Sequence, residues 1–139
     1  MKTKLVATLL IVVAALAGCS SNSDTSTGLP AAPAAGQYAT ITAAQAKQMM
    51  DTTTGYVILD VRTQDEFNQG HISGALLIPS TDIAAKAPSA IPDKSTVILA
   101  YCRTGARAAQ ASQTLAGMGY TNVYDFGGIL GWPYGTVTG

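Results

Sequence analysis

The sequence predicts an α/β domain built on a small parallel sheet of about five strands with helices on both faces. Short apolar runs bounded by turn residues alternate along the chain with helical patterns, which is typical of a parallel sheet with helical crossovers. The chain has 139 residues. The part beyond Tyr38, about 100 residues, is long enough for one hydrophobic core.

The strands are predicted from runs rich in Val, Ile, Leu and Tyr between turn signals. Residues 96–101 form the strongest buried strand, because Thr-Val-Ile-Leu-Ala-Tyr is apolar throughout its middle. Residues 56–61 read the same way, and Pro79 ends a run at 75–78. The predicted strands are 39–41, 56–61, 75–78, 96–101 and 122–124.

The helices are predicted from capping signals and stop signals. Thr42 begins the first helix, and Thr63 with Glu66 forms a capping box for the second. Pro88 ends one or two helical turns, and glycines end the Ala-rich fourth helix. The predicted helical segments are 42–50, 63–69, 81–87 and 106–118, with a tight turn or short helix at 127–132.

The first residues have the pattern of a bacterial lipoprotein leader. Lys2 and Lys4 precede an apolar run at 5–17, which is too short to span a membrane. Leu16, Ala17, Gly18 and Cys19 follow and resemble a lipobox, in which the cysteine receives lipid and cleavage occurs just before it. An ordinary secretory peptide is the alternative, because Ala15-Leu16-Ala17 also fits a small-x-small cleavage site.

Three segments are therefore expected. Residues 1–18 form the signal peptide, residues 19–37 a flexible Ser/Thr/Pro/Ala tether, and residues 38–139 the folded domain. Lipid on Cys19 would hold the domain in the cell envelope, anchored to a membrane on its periplasmic or extracellular side.

Charge and cysteine content exclude several classes. The formal net charge is zero, and without Lys2 and Lys4 six basic residues face eight acidic ones, giving −2. No basic excess is left for nucleic-acid binding. Two cysteines are too few for a disulfide scaffold, and one Cys with one His is too few for zinc. We expect no cofactor, no metal and a monomer.

The turn between the strongest strand and the Ala-rich helix carries the candidate site. Open parallel sheets place their sites beyond the carboxyl ends of the strands, where helix N-termini favour anions. Cys102 lies there, followed by Arg103 and Arg107, so it is expected to be largely thiolate and to act as a nucleophile. A buried, inert thiol is the plain alternative. The candidate residues are catalytic Cys102 and substrate-binding Arg103, Thr104, Gly105, Ala106 and Arg107.

The loop Cys-Arg-Thr-Gly-Ala-Arg at 102–107 resembles the active-site loop of single-domain rhodaneses, which carry a persulfide on the loop cysteine. The resemblance extends over two further blocks in the right order, upstream at 59–79 and downstream at 123–132. One departure is Ala108, where many members have Ser or Thr, which affects a loop hydroxyl and substrate preference.

The resemblance implies a sulfurtransferase. Cys102 would take sulfane sulfur from thiosulfate or a related small anionic donor and pass it to cyanide or a thiol. The loop amides and Arg107 would stabilise the persulfide anion, and Arg103 would attract anionic donors. The runner-up is a non-catalytic sulfane-sulfur carrier or partner-binding module. Phosphatase or arsenate-reductase activity is disfavoured, because C-x4-R is one residue shorter than the phosphatase loop.

Other polar residues are assigned structural roles. His71 is expected to make structural hydrogen bonds rather than to act as a base. Asp60, Arg62 and Glu66 are expected to form a local ion-pair and capping network, with Arg62 and Glu66 paired at helical spacing. Trp132 fits either the site rim or the core.

Overall fold

The computed structural model describes residues 28–139, which fold around one five-stranded parallel sheet. The leader and Cys19 lie outside the described residues. The strands are β1 (Ala39–Thr40), β2 (Val57–Asp60), β3 (Leu76–Leu77), β4 (Val97–Cys102) and β5 (Asn122–Gly128). The order across the sheet is β1-β5-β4-β2-β3, and every pairing is parallel.

Four α-helices connect the strands, and a short 3₁₀ helix follows the last one. They are α1 (Ala43–Thr52), α2 (Gln64–Gln69), α3 (Ile83–Ala90), α4 (Ala106–Gly117) and the 3₁₀ turn Ile129–Gly131. Both predicted N-caps are present, since Thr42 and Thr63 each form a capping box, with Gln45 and Glu66 respectively. Within the described residues, no helix is long and apolar enough to span a membrane.

The core has two layers, one on each face of the sheet. On one face, Ile83 and Ala87 of α3 and Leu115 of α4 pack against Leu59 and Ile98 of the strands. On the other face, α1 packs against the sheet together with the segment after β5; this layer includes Ala46, Met49, Leu99, Phe126 and Trp132. The expected arrangement of helices on both faces is therefore confirmed.

The third helix differs from its prediction. Pro88 was expected to end it, but α3 begins at Ile83 and continues through Pro88 to Ala90. Proline removes one backbone donor and favours a helix end. Here the fully buried Ala87 and Ile83 hold the turn against the core, and the Ile91 amide still donates to the Ala87 carbonyl at 2.8 Å. Packing therefore outweighs the local preference.

The last strand is longer than predicted and brings a second segment to the candidate loop. The sequence predicted a strand at 122–124, whereas β5 runs to Gly128 and pairs Gly128 with Cys102 at the carboxyl end of β4. The register of the β4–β5 pairing shifts between Ala100 and Cys102, at the start of the loop. The carboxyl end of the sheet thus places residues 102–107 beside residues 127–130.

Candidate active site

Cys102 is the last residue of β4 and lies at the base of the loop. Its side chain is 1 % exposed, and Sγ accepts a hydrogen bond of 3.0 Å from the Gly105 amide. Gly105 has φ +115°, a conformation that favours glycine, and it caps α4. The amide that reaches the sulfur therefore also begins the helix, and both the hydrogen bond and the helix dipole favour negative charge on Sγ.

The end of β5 supports the loop from behind. A Cβ added to Gly128 would lie 2.2 Å from the Arg103 carbonyl oxygen, so only a residue without a side chain fits there. The Leu130 amide donates to the same carbonyl at 3.4 Å. Gly128 is thus required for the close approach that holds the loop in place.

Arg107, in the first turn of α4, is held by a carboxylate from α2. Its two terminal nitrogens donate to the two oxygens of Glu66 at 2.7 and 2.8 Å. These bonds lower the pKa of Glu66 to about 2 and raise the pKa of Arg107 above its usual value. The nearby Cys102 sulfur also contributes to raising the pKa of Arg107.

The expected pairing of Arg62 with Glu66 is wrong. Arg62 instead binds Asp60 with a closest distance of 2.6 Å, and both side chains are buried. Arg62 also donates to the Gly70 carbonyl at 2.7 Å. Glu66 forms its ion pair with Arg107 and accepts a hydrogen bond from the amide of Thr63, the N-cap residue of α2. The local network exists, but its ion pairs connect different partners.

Arg103 is the cation left available at the loop. Its side chain is exposed, and among residues 28–139 it forms no ion pair. Arg62 and Arg107 both face carboxylates, so their charges are largely balanced. The unbalanced positive charge at the mouth of the site therefore comes from Arg103, as an attraction for anionic donors requires.

Two open cavities flank the loop and share one wall. The polar cavity, about 380 Å³, is lined by Arg62, Glu66 and Gly70 on one side. The apolar cavity, about 350 Å³, is lined by Ala43, Phe126 and Gly128. Arg103 and Leu130 line both cavities, so they form the ridge between them. Cys102 is not among the residues that line either cavity; Glu66, in the wall of the polar cavity, binds Arg107.

His71 and Trp132 both have structural contacts. His71 Nδ1 lies 3.0 Å from the Phe67 carbonyl, the ring stacks on Phe67 at 3.7 Å, and the His71 backbone pairs with Val137. These contacts agree with the structural role expected for His71. Trp132 is 9 % exposed and packs on Phe126, so it belongs to the core rather than the rim.

The structure brings together residues that the sequence did not associate. Glu66, Gly128 and Leu130 all lie against the loop, although they are far from it in sequence. Only the capping pattern at Glu66 gave a local signal, and it indicated a helix start rather than a site. Within residues 28–139, no group of three or more His, Cys, Asp or Glu side chains could hold a metal ion.

A thiol that accepts a hydrogen bond from a loop amide at the carboxyl end of a parallel sheet defines a candidate cysteine site. The model of the rhodanese-like domain matches residues 42–133, and the chain belongs to this family.

Curated relatives and solved structures agree with this assignment. The chain is 37 % identical to thiosulfate sulfurtransferase PspE of Escherichia coli over 71 residues, which are 51 % of this chain and 68 % of that protein. It is 37 % identical to a sulfurtransferase of Allochromatium vinosum over 86 residues, 61 % and 78 % of the two chains.

The solved structures include an Escherichia coli rhodanese with anions, with 33 % identity, a TM-score of 0.58, and coverage of 60 % of this chain and 99 % of that one. A rhodanese-like domain protein of Staphylococcus aureus has 28 % identity, a TM-score of 0.62, and coverage of 73 % and 98 %. The relatives support sulfurtransferase activity in general.

Proposed function

We propose that this protein transfers sulfane sulfur from thiosulfate or a related anionic donor to cyanide or a thiol through a persulfide on Cys102. The observation that carries the proposal is the contact between Cys102 Sγ and the Gly105 amide, next to an exposed Arg103 that forms no ion pair within residues 28–139. The loop thus combines a buried sulfur nucleophile at its base with an exposed cation at the next residue. The relatives named thiosulfate sulfurtransferase support thiosulfate as the donor.

The reaction is a double displacement. The Cys102 thiolate attacks the outer sulfur of thiosulfate, the sulfur–sulfur bond of the donor breaks, and sulfite leaves with the bonding electron pair. Cyanide or an acceptor thiolate then attacks the outer sulfur of the persulfide. The Cys102 thiolate is released, and the product is thiocyanate or a new persulfide.

Each loop group has a distinct role in these steps. Arg103 binds the incoming dianion. The Gly105 amide and the N-terminus of α4 stabilise negative charge on sulfur, and Arg107 adds a cation that Glu66 holds in one orientation. Because the Gly105 amide already contacts the sulfur and Glu66 already fixes Arg107, little reorganisation is needed when charge shifts between sulfur atoms.

A sulfur carrier on the same fold is the second candidate. The nearly complete burial of Cys102 favours it, because burial slows attack on the persulfide by acceptors that diffuse freely in solution. In that case Cys102 holds sulfur for a partner and turns over slowly with cyanide.

Mass spectrometry after incubation with thiosulfate tests both candidates. The wild-type protein should gain one sulfur atom, and Cys102→Ser should gain none. Release of thiocyanate on adding cyanide, with return to the unloaded mass, supports the enzyme. Loading without release supports the carrier. No loading from thiosulfate or from another sulfane donor contradicts both.

We also propose that lipid on Cys19 anchors the protein in the cell envelope, with residues 19–37 as a tether and the domain acting as a monomer. The pattern before Cys19 supports this assignment. Cells expressing the full chain should incorporate a labelled fatty acid into it. Incorporation that survives Cys19→Ser would contradict the anchor.

A further inference from the structure

Asp125, in β5, is a buried carboxylate with no part in the sulfur-transfer steps. Its side chain is 5 % exposed, and within residues 28–139 it forms no ion pair. The amide of Gly127 donates a hydrogen bond of 2.8 Å to its Oδ1. Burial raises the pKa of Asp125, and the bond from Gly127 offsets only part of that rise. Because burying a carboxylate is costly, keeping one at this position requires a gain elsewhere.

The strand itself does not need this side chain. Asp125 pairs through its backbone with Ala100 of β4 on one side and with Thr40 of β1 on the other. Its carbonyl also accepts from the Ile41 amide at 2.9 Å. These contacts hold β5 in the sheet whatever the side chain is, so pairing of the strands does not explain an acid here.

The carboxylate belongs to the face of the sheet that also carries Cys102. Val123, two residues before Asp125, contributes to the apolar layer that contains Ala100 and Cys102. Side chains alternate along a strand, so Asp125 lies on the same face as Val123. An acid is therefore present in an otherwise apolar layer, on the side of the sheet that α4 covers.

The hydrogen bond fixes the backbone where β5 meets the loop. An aspartate that accepts from the amide two residues later stabilises a turn, and Gly127 has φ +89°, in the region that favours glycine. The next residue, Gly128, pairs with Cys102 and lies against the carbonyl of Arg103. The Asp125 side chain thus sets the direction in which β5 reaches the loop.

The backbone of Gly127 also lies against Gly105. A Cβ added to Gly105 would lie 3.4 Å from the Cα of Gly127 and 3.7 Å from its carbonyl carbon. Gly105 caps α4, and its amide donates to Cys102 Sγ at 3.0 Å. A continuous series of contacts therefore leads from the carboxylate of Asp125 to the sulfur.

We propose that Asp125 is a positioning residue for sulfur transfer. Its carboxylate fixes the Gly127 amide and keeps that backbone against Gly105, so that the Gly105 amide stays on Cys102 Sγ. This inference rests on the proposed function. Without the hydrogen bond, two glycines with few conformational restrictions face each other, and the Gly105 amide loses its alignment with the sulfur.

Two variants remove the acceptor in different ways. Asp125→Ala leaves the Gly127 amide without its partner, and Asp125→Leu fills the space with an apolar side chain that suits this face of the sheet. The leucine variant is expected to fold, because it avoids the cost of burying a carboxylate. Asp125→Asn removes the charge but keeps an oxygen that can accept from Gly127, so it provides the rescue.

Asp93→Ala is the matched control. Asp93 accepts from the Ser95 amide, which is also two residues later and also at 2.8 Å. Asp93 is exposed and precedes β4, at the end of that strand away from Cys102. Its replacement therefore removes the same kind of hydrogen bond without affecting the loop.

Single-turnover loading with thiosulfate, followed by mass, gives a rate constant at saturating donor and a half-saturating donor concentration. Circular dichroism confirms that each variant is folded under the conditions used. The rate constant should fall about tenfold or more in Asp125→Ala and Asp125→Leu, because small displacements of aligned groups are costly.

The half-saturating concentration should stay within about threefold, because attraction by the exposed Arg103 changes little over small displacements. Asp125→Asn should load within about threefold of wild type, since asparagine stabilises the same turn. A loss of stability alone would leave both values unchanged while the protein remains folded.

The outcomes separate this inference from the function beneath it. If the wild-type protein does not load with sulfur, the proposed function fails and the inference fails with it. If wild type loads and the alanine and leucine variants load at the same rate, only the inference is overturned. It is also overturned if Asp125→Asn is as slow as Asp125→Leu, or if Asp93→Ala slows loading equally. Unfolding of both acceptor-free variants while Asp125→Asn folds would assign Asp125 to folding and overturn the positioning role.

Discussion

Glu66 and Arg107 are 41 residues apart in the chain, yet two hydrogen bonds of 2.7 and 2.8 Å join the carboxylate to the guanidinium. Glu66 also accepts from the Thr63 amide, so the same carboxylate caps α2 and anchors the first turn of α4. Glu66, which orients Arg107, is therefore held in place by α2, whereas Arg107 belongs to α4. This arrangement makes Glu66 a positioning residue.

Glu66→Gln should impair catalysis more than folding. Glutamine can still cap α2, since the capping box accepts Gln at this position, but it cannot hold the guanidinium with two charged oxygens. We expect kcat/KM for thiosulfate to fall about ten- to hundredfold, because small misplacements of charged groups are costly. Steady-state kinetics with cyanide as acceptor measures the loss.

Asp65→Asn is the matched control for that change. Asp65 lies in the same first turn of α2 and is exposed, but it does not contact Arg107. Its replacement should leave kcat/KM within about twofold of wild type. A comparable loss of kcat/KM in both variants would mean that negative charge at the N-terminus of α2 determines the rate, and not the hydrogen bonds between Glu66 and Arg107.

The same ion pair makes stability depend on acid. The pKa of Glu66 is lowered from 4.5 to about 2, chiefly by its hydrogen bonds from Arg107. A carboxyl whose pKa falls on folding contributes stability that is fully present above about pH 4.5 and is lost between pH 4.5 and 2. The free energy of unfolding of the wild-type protein should exceed that of Glu66→Gln by about 1 kcal/mol at pH 6. This figure is reduced to allow for the partial exposure of the ion pair.

Urea unfolding of both proteins at a series of pH values measures this difference. The difference in free energy of unfolding should narrow steadily below pH 4.5 and approach zero near pH 2. A difference that is the same at pH 6 and near pH 2 would show that the ion pair is not its source.

The loop could be predicted from sequence because its signals are local. An apolar strand, a cysteine followed by two arginines and a glycine at a helix start are all contained in residues 97–107. The partners of the loop could not be predicted in this way. The spacing of Arg62 and Glu66 predicted an ion pair between them. Instead, Arg62 pairs with the buried Asp60, and Glu66 pairs with Arg107 of α4, which is distant in sequence.

Tertiary packing also explains the two differences in the elements. Pro88 is a local stop signal, yet α3 passes it because Ile83 and Ala87 are buried against the core. The strand β5 continues past Tyr124 because Gly127 and Gly128 lie beside the loop, and glycines carry no strand signal of their own. Both results depend on neighbours that are distant in sequence.

Gly128→Ala should disable the loop while the sheet remains folded. The added methyl group would lie 2.2 Å from the Arg103 carbonyl oxygen, and the neighbouring atoms are backbone, so the loop or the end of β5 must move. We expect a stability loss of about 1–3 kcal/mol, typical of overpacking. Persulfide formation from thiosulfate should slow at least about tenfold, as a displaced nucleophile loses its alignment.

Gly131→Ala serves as the comparison for that variant. Gly131 belongs to the adjacent 3₁₀ turn, and an added Cβ there would meet no atom within 4 Å. Stopped-flow loading with thiosulfate and circular dichroism measure rate and fold for both proteins. Equal loading rates in Gly128→Ala and wild type would show that the loop tolerates the displacement.

Arg103→Gln should weaken donor binding with little effect on the fold. Arg103 is exposed and forms no ion pair within residues 28–139, so its loss should change stability by no more than about 0.5 kcal/mol. Removing this unbalanced cation should raise KM for thiosulfate about tenfold and leave kcat closer to wild type, since Arg107 and the Gly105 amide still act on the sulfur. Added salt should raise the wild-type KM and affect the KM of the variant less.

Lys86→Gln is the control. It removes an exposed cation of α3 that pairs with Asp82 away from the loop, and it should change neither KM nor kcat. An unchanged KM for thiosulfate in Arg103→Gln would contradict this role of Arg103 and would indicate that Arg107 binds the donor.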